Sequence, residues 1–225
     1  VTYNSIAISS GHSTKCQGAD GILNEVAEAT RVVDDVAVKL AARGVDVMTF
    51  HDTQSTSQNE NLNRIVDWHN EQDRALDVSV HFNAYVETTK PMGTEVLWVT
   101  QSELAGQVSA AIAQAGELID RGAKKRTDLF FLNNTSKPSI LIEVAFCDSS
   151  ADAGLYGTNF NAICEAIATV LGGEADEVEE LPPPVGEERP PRPAHPHPPA
   201  LPATVRIEIE AVGNVQVLIN GVPVS

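Results

Sequence analysis

Val78-Ser79-Val80-His81-Phe82-Asn83-Ala84 is the stretch from which the fold can be read. A short, β-branched apolar run ending in a histidine and a turn-forming Asn-Ala reads as a buried strand that delivers a polar side chain to its end. The pattern recurs on either side. Ile6-Ala7-Ile8-Ser9-Ser10-Gly11-His12-Ser13 is an apolar run closed by a Gly-His turn, and Ile140-Leu141-Ile142-Glu143-Val144 is another that holds a glutamate. Between the first two runs, residues 24–43 place Val26, Ala29, Val33, Val36, Ala37 and Leu40 mostly three or four apart, which predicts an amphipathic helix stopped by Gly44. Further strands are expected at 45–50 and 94–100, and a short one at Phe130-Phe131-Leu132. Helices are expected at 60–72, 102–121 and 160–171, the last stopped by Gly172-Gly173. Strands alternating with helices predict an α/β domain over residues 1–173: a mostly parallel, twisted sheet of five or six strands with helices on both faces.

Polar residues at the ends of apolar strands are the usual arrangement of a site on an open α/β sheet. His12, Glu25 and His81 are the residue types of a zinc site. Two imidazoles and one carboxylate leave a coordination position free for water, as catalytic zinc sites do. Glu143 lies between Ile142 and Val144, where a carboxylate needs a partner or a chemical role; it is the candidate general base. Asn83 is a candidate for binding substrate or for orienting the loop. Asp20 and Glu28 could support Glu25 from behind. His51 and His69 fit no cluster and read as surface or helix-face residues.

The order Gly11-His12, Asn24-Glu25, His81-Phe82-Asn83-Ala84 and Leu141-Ile142-Glu143-Val144 resembles the zinc-dependent N-acetylmuramoyl-L-alanine amidases of the Amidase_3 family. Arg43-Gly44-Val45-Asp46-Val47, Gly93-Thr94-Glu95-Val96 and Ser136-Lys137-Pro138-Ser139 add to the resemblance, which covers roughly residues 4–171. It departs at Ser9-Ser10, where the family usually has Asp-Pro, and at Ala145, where it usually has Gly. The resemblance implies one catalytic Zn2+ held by His12, Glu25 and His81, Glu143 as catalytic base, and peptidoglycan as substrate. The bond cut would be the amide between the lactyl group of N-acetylmuramic acid and L-alanine. Between His81 and Glu143 lies only one strand–helix–strand unit's worth of chain, so no inserted helix is expected to cover the site; with the absence of a signal peptide and the small tethered C-terminal segment, this favours an endolysin of phage or prophage origin. Two other readings stand beside it: a zinc amino- or carboxypeptidase of related fold, and a non-catalytic wall-binding module.

A net charge of −16 argues against binding to nucleic acid phosphates. No apolar run approaches the roughly 18 residues of a membrane span. Val1-Thr2-Tyr3-Asn4 leads straight into the first strand, with no basic region and apolar core ahead of it. The expectation is a protein made in the host cytoplasm without a signal peptide and acting on the wall after release, or else a mature secreted form. Cys16, Cys147 and Cys164 are too few and odd in number for a disulfide framework and read as free thiols.

Residues 174–203 differ in kind. An acidic start (Glu174, Asp176, Glu177, Glu179, Glu180) gives way to dense proline, the composition of an extended spacer, in which His195 and His197 read as solvated. Residues 204–225 alternate again, with turn signals at Gly213-Asn214 and Asn220-Gly221. A β segment of that size needs a partner: its own copies in a homo-oligomer, the catalytic domain, or a wall component.

Overall fold

The computed structural model describes residues 2–174, 218–219 and 222–223. The first unit contains β1 (Ser5–Ser10), α1 (Glu25–Ala41), β2 (Asp46–Phe50), α2 (Gln58–Glu71), β3 (Leu76–Asn83), β4 (Thr94–Trp98), α3 (Ser102–Gly116), β5 (Asp120–Lys125), α4 (Phe130–Asn134), β6 (Ser139–Phe146) and α5 (Ser150–Gly172). Its strands form one sheet in the order β2-β1-β3-β6-β4-β5. All neighbours are parallel except β4 and β6. The sheet is therefore mostly parallel and six-stranded, as the sequence implies.

Alternation along the strands divides the core. Ile6, Ile8, Val78, Val80, Val96, Ile140 and Ile142 pack with the apolar faces of α1, α3 and α5 in the main cluster. On the other side, Leu97 and Leu141 meet Ile65 and Val66 of α2 and Phe131 and Leu132 of α4. Helices thus cover both faces. α1 begins where the Asn24 side chain accepts the Ala27 N–H at 3.0 Å, and α2 where Ser57 accepts the Glu60 N–H at 3.3 Å.

Four local expectations are corrected. Phe130-Phe131-Leu132 is the start of helix α4, not a strand: neighbours Phe131 and Leu132 are both buried in the second cluster, whereas a strand would turn one of them outward. An apolar run of three cannot reveal its period. The helix expected over 102–121 ends at Gly116, with Glu117 capping it in the left-handed region (φ 55°), and the chain re-enters the sheet as β5. The Asp120–Lys125 strand has no apolar alternation to announce it, because it lies at the sheet edge. α5 begins at Ser150 rather than near 160. Ser149 caps it by accepting the Asp152 N–H at 3.1 Å, and Gly154 and Gly157 mask its helical pattern.

His69 is the fourth. It is fully buried, with Nδ1 at 2.7 Å from Asp77 Oδ1 and Nε2 at 2.9 Å from Ser9 Oγ. Arg74 donates to both oxygens of Asp77, at 2.8 and 2.9 Å. This network ties α2 to β1 and β3 behind the site. Burial foremost, and Arg74 with it, push the His69 imidazole below its ordinary range, against the pull of Asp77.

The second unit spans Glu179–Ser225. Its described residues are two short antiparallel strands, β7 (Leu218–Ile219) and β8 (Val222–Pro223), on either side of the Asn220-Gly221 turn signal. The Gly213-Asn214 turn signal, His195 and His197 lie outside the described residues.

Candidate active site

The parallel strands β1, β3 and β6 all finish at one end of the sheet, and their last residues and following loops gather the site. His12 follows β1, and Gly11 is tied to β3 by its N–H on the Val80 carbonyl at 2.9 Å. Glu25 is the first residue of α1, almost fully buried. Its Oε2 accepts the Ala19 N–H at 2.6 Å and its Oε1 accepts the Phe82 N–H at 3.1 Å. These two backbone bonds fix the carboxylate between the histidines. Oε1 lies 2.9 Å from His81 Nδ1 and 3.4 Å from His12 Nε2. One ligand atom from each of the three residues falls within 4.8 Å of the others.

Two glycines make this convergence possible. A Cβ on Gly11 would lie 1.8 Å from His81 Nε2, and one on Gly18 would lie 2.1 Å from Glu25 Oε2. Each backbone runs where a side chain would displace a member of the cluster.

The set fits a zinc ion. Zinc bonds of about 2.0–2.2 Å to tetrahedral nitrogen and oxygen ligands put those ligands roughly 3.3–3.5 Å apart; Glu25 Oε1 stands 3.4 Å from His12 Nε2 and 2.9 Å from His81 Nδ1, and all three ligand atoms lie within 4.8 Å of one another. Burial works to raise the Glu25 carboxyl, but its hydrogen bonds with His12 and His81 outweigh burial and hold it below the usual carboxylate range. It stays ionised, as a ligand must.

Glu143 is the Cα partner of His81 across the β3–β6 pairing and of Glu95 across the β6–β4 pairing. The three side chains therefore leave one face of the sheet in a row. Glu143 Oε2 is shielded from solvent and has no hydrogen-bond partner among the described residues. Burial foremost, then the charges of Glu25 and Glu95, push its carboxyl up to about 8. An acceptor buried without a partner beside a metal-type cluster is the arrangement expected of a functional acid or base.

Asn83 does not reach the cluster; its Nδ2 donates to Glu95 Oε1 at 3.2 Å and its Oδ1 accepts the Ala84 N–H at 2.9 Å. Asp20 and Glu28 do not support Glu25 through a hydrogen bond. Asp20 accepts from Asn24, while Glu28 bonds Arg31 and the Tyr156 hydroxyl. His51 lies between Ser10 and Asp34, at 3.0 and 3.1 Å. Cys16, Cys147 and Cys164 are free thiols, and burial pushes Cys147 up to about 12. Of the elements between His81 and Glu143, α4 packs on α2 and β6. The His12 and His81 side chains keep 23% and 15% of their exposure, so the cluster is accessible from outside.

Sequence reading overlooked Glu95 and Arg121. Because β4 runs antiparallel to β6, its first residues, and those of β5 parallel to it, arrive at the end where β1, β3 and β6 finish. Glu95 accepts from Arg121 Nε at 2.6 Å and pairs with Lys124. The reversal of strand direction was the missing signal.

The comparisons bear on the fold and the family. The catalytic domain of CD27L endolysin targeting Clostridia Difficile superposes with a TM-score of 0.66 at 26% identity, covering 74% of this chain and 96% of that one. The N-acetylmuramoyl-L-alanine amidase AmiC2 of Nostoc punctiforme gives a TM-score of 0.66 at 26% identity, over 74% and 94% of the two chains. An uncharacterized 38.4 kDa protein of Clostridium perfringens is 30% identical over 157 residues, 67% of this chain and 45% of its own length. A second protein of that organism is 28% identical over 190 residues, 81% of this chain and 55% of its own. The chain spans about half the length of these curated relatives. Residues 6–172 match Amidase_3, described as N-acetylmuramoyl-L-alanine amidase, and the chain belongs to that family.

Proposed function

We propose that this domain is a zinc-dependent N-acetylmuramoyl-L-alanine amidase, hydrolysing the amide between the lactyl group of N-acetylmuramic acid and L-alanine in peptidoglycan. The observation behind the reading is the convergence of His12, Glu25 and His81, with Glu143 in register beside His81. Family membership supports the bond and the substrate. A bound zinc would polarise the scissile carbonyl and lower the pKa of water at the site.

The protein's own residues do the rest. Glu143 takes the proton of the attacking water and returns it to the leaving amine, a role suited to a buried carboxyl in register beside His81. Its unpartnered Oε2 is free to accept that proton. Ala19 and Phe82 hold Glu25 by their N–H groups, so the ligand keeps its place when substrate enters. The likeness to an endolysin catalytic domain supports a lytic role at the cell wall, and action after release from the cell that makes the protein is proposed with it. A segment as short as residues 204–225 needs a partner, whether its own copies, the catalytic domain or a wall component.

Elemental analysis of purified protein tests the metal assignment. One zinc per wild-type chain is expected, with loss in His12→Ala and His81→Ala; wild-type protein that takes up no zinc would contradict the proposal.

A further inference from the structure

Four of the chain's 15 Lys and Arg residues fall within residues 121–126, Arg121, Lys124 and Lys125 in β5 and Arg126 just after it, on a protein of net charge −16. The register of β5 against β4 shifts there: Thr94 pairs with Asp120, but Val96 pairs with Ala123, so Arg121 and Gly122 together oppose Glu95. Gly122 takes the positive φ (76°) that this bulge requires. Bulges re-aim side chains, often beside active sites, and this one directs Arg121 across the strand to Glu95.

Arg121 is held from several sides. Nε donates to Glu95 Oε2 at 2.6 Å, Nη1 donates to the Met92 carbonyl at 3.3 Å, and the guanidinium carbon stands 5.0 Å from the centre of the Phe146 ring. Nη2 has no hydrogen bond to any described residue. Glu95 is one carboxylate shared by two cations, Arg121 and Lys124. Arg121 also lines an open cleft of about 330 Å³ with Asn83, Ala84, Tyr85, Met92 and Phe146.

We propose that this cleft is the subsite for the stem peptide on the leaving-group side of the scissile amide, and that Arg121 binds the free α-carboxylate of the peptide's second residue. The proposal rests on the amidase reading. Its geometry follows from strand spacing. β5 is two strands from β6, so the Arg121 backbone stands roughly 10 Å from that of Glu143. A peptide leaving the scissile amide advances about 3.3–3.6 Å per residue, and its second α-carboxylate falls within reach of a guanidinium that extends back from β5. Glycan hydroxyls carry no charge to answer a cation; a stem carboxylate does.

The test compares two synthetic muramyl stem peptides that differ only in whether the second residue's α-carboxylate is free or amidated. For wild type, the free acid should have the lower KM. Arg121→Met should raise KM for the free acid about 10–100-fold more than KM for the amidated substrate, the range of a lost charged hydrogen bond, while any change in kcat is common to both. Arg121→Lys should recover part of the loss. An Arg121→Met effect that is equal for both substrates, or absent for both, would overturn the subsite while leaving the amidase reading intact. No cleavage of either substrate by zinc-loaded wild type would overturn both.

Discussion

Glu143 and His81 are Cα partners in the parallel pairing of β6 with β3, so the proposed base and a proposed zinc ligand leave the same face of the sheet side by side. Neither needs a loop to position it. Their strands are buried and paired on both sides, which sets their separation by the sheet's own spacing. His12 and Glu25 are less rigid in origin. One follows a strand and the other starts a helix, and the glycines at 11 and 18 let them close on His81.

Gly11→Ala tests that closeness. The added methyl occupies the space of the His81 ring, so the ring must leave the cluster. Zinc affinity is expected to fall about 10–100-fold, the scale of a disturbed ligand orientation, with the circular dichroism of the folded protein retained. Unchanged zinc affinity would show that the ring has room to move without leaving the metal.

Asp77→Ala tests the support behind the site. It removes the acceptor of both His69 and Arg74, each almost fully buried, and leaves a cation unpaired in the interior. Breaking a buried pair from one side costs about 3–5 kcal/mol, so denaturant unfolding should show a loss of that order. A loss below about 1 kcal/mol would place the network among surface-like pairs.

The Glu143 carboxyl gives a pH signature in metal-free protein. Its folded value, about 8, lies above the ordinary carboxylate range that it resumes on unfolding. The folded state therefore holds a proton that the unfolded state has lost over that window. The stabilisation is complete at low pH and declines as pH rises towards about 8. Glu143→Gln cannot ionise and should gain stability relative to wild type across the window, by something on the order of 1–4 kcal/mol at its upper end. A difference between the two proteins that does not change with pH would mean that the carboxyl is not perturbed.

Self-association through residues 204–225 predicts different masses in solution for the full chain and for a 1–173 truncation, beyond the mass of the missing segment. Light scattering that finds both as monomers would eliminate it.

Much of this was legible in the sequence, for physical reasons that differ between elements. β1, β3 and β6 are buried on both faces and declare themselves as apolar runs, and the polar residues that interrupt those runs are the site. α1 shows its period because one side meets the core and the other meets water. β5 was not legible: Asp120–Lys125 lies at the sheet edge and carries charge where a central strand carries valine. Strand direction was not legible either, and with it went Glu95 and Arg121, which reach the site only because β4 runs backwards beside β6. His69 stands on the expected face of α2 with Ile65 and Val66, but its cluster was not legible, because a histidine on a helix face looks the same in sequence whether its neighbour is water or a buried Asp77.

The most direct measurement is mass spectrometry of peptidoglycan fragments released by the zinc-loaded protein, with Glu143→Gln as control. The account predicts free stem peptides beginning with L-alanine and uncut glycan strands, at a rate about 10²–10⁴-fold lower in Glu143→Gln, whose zinc content is unchanged. Shortened stems still attached to glycan, or full activity in Glu143→Gln, would contradict it.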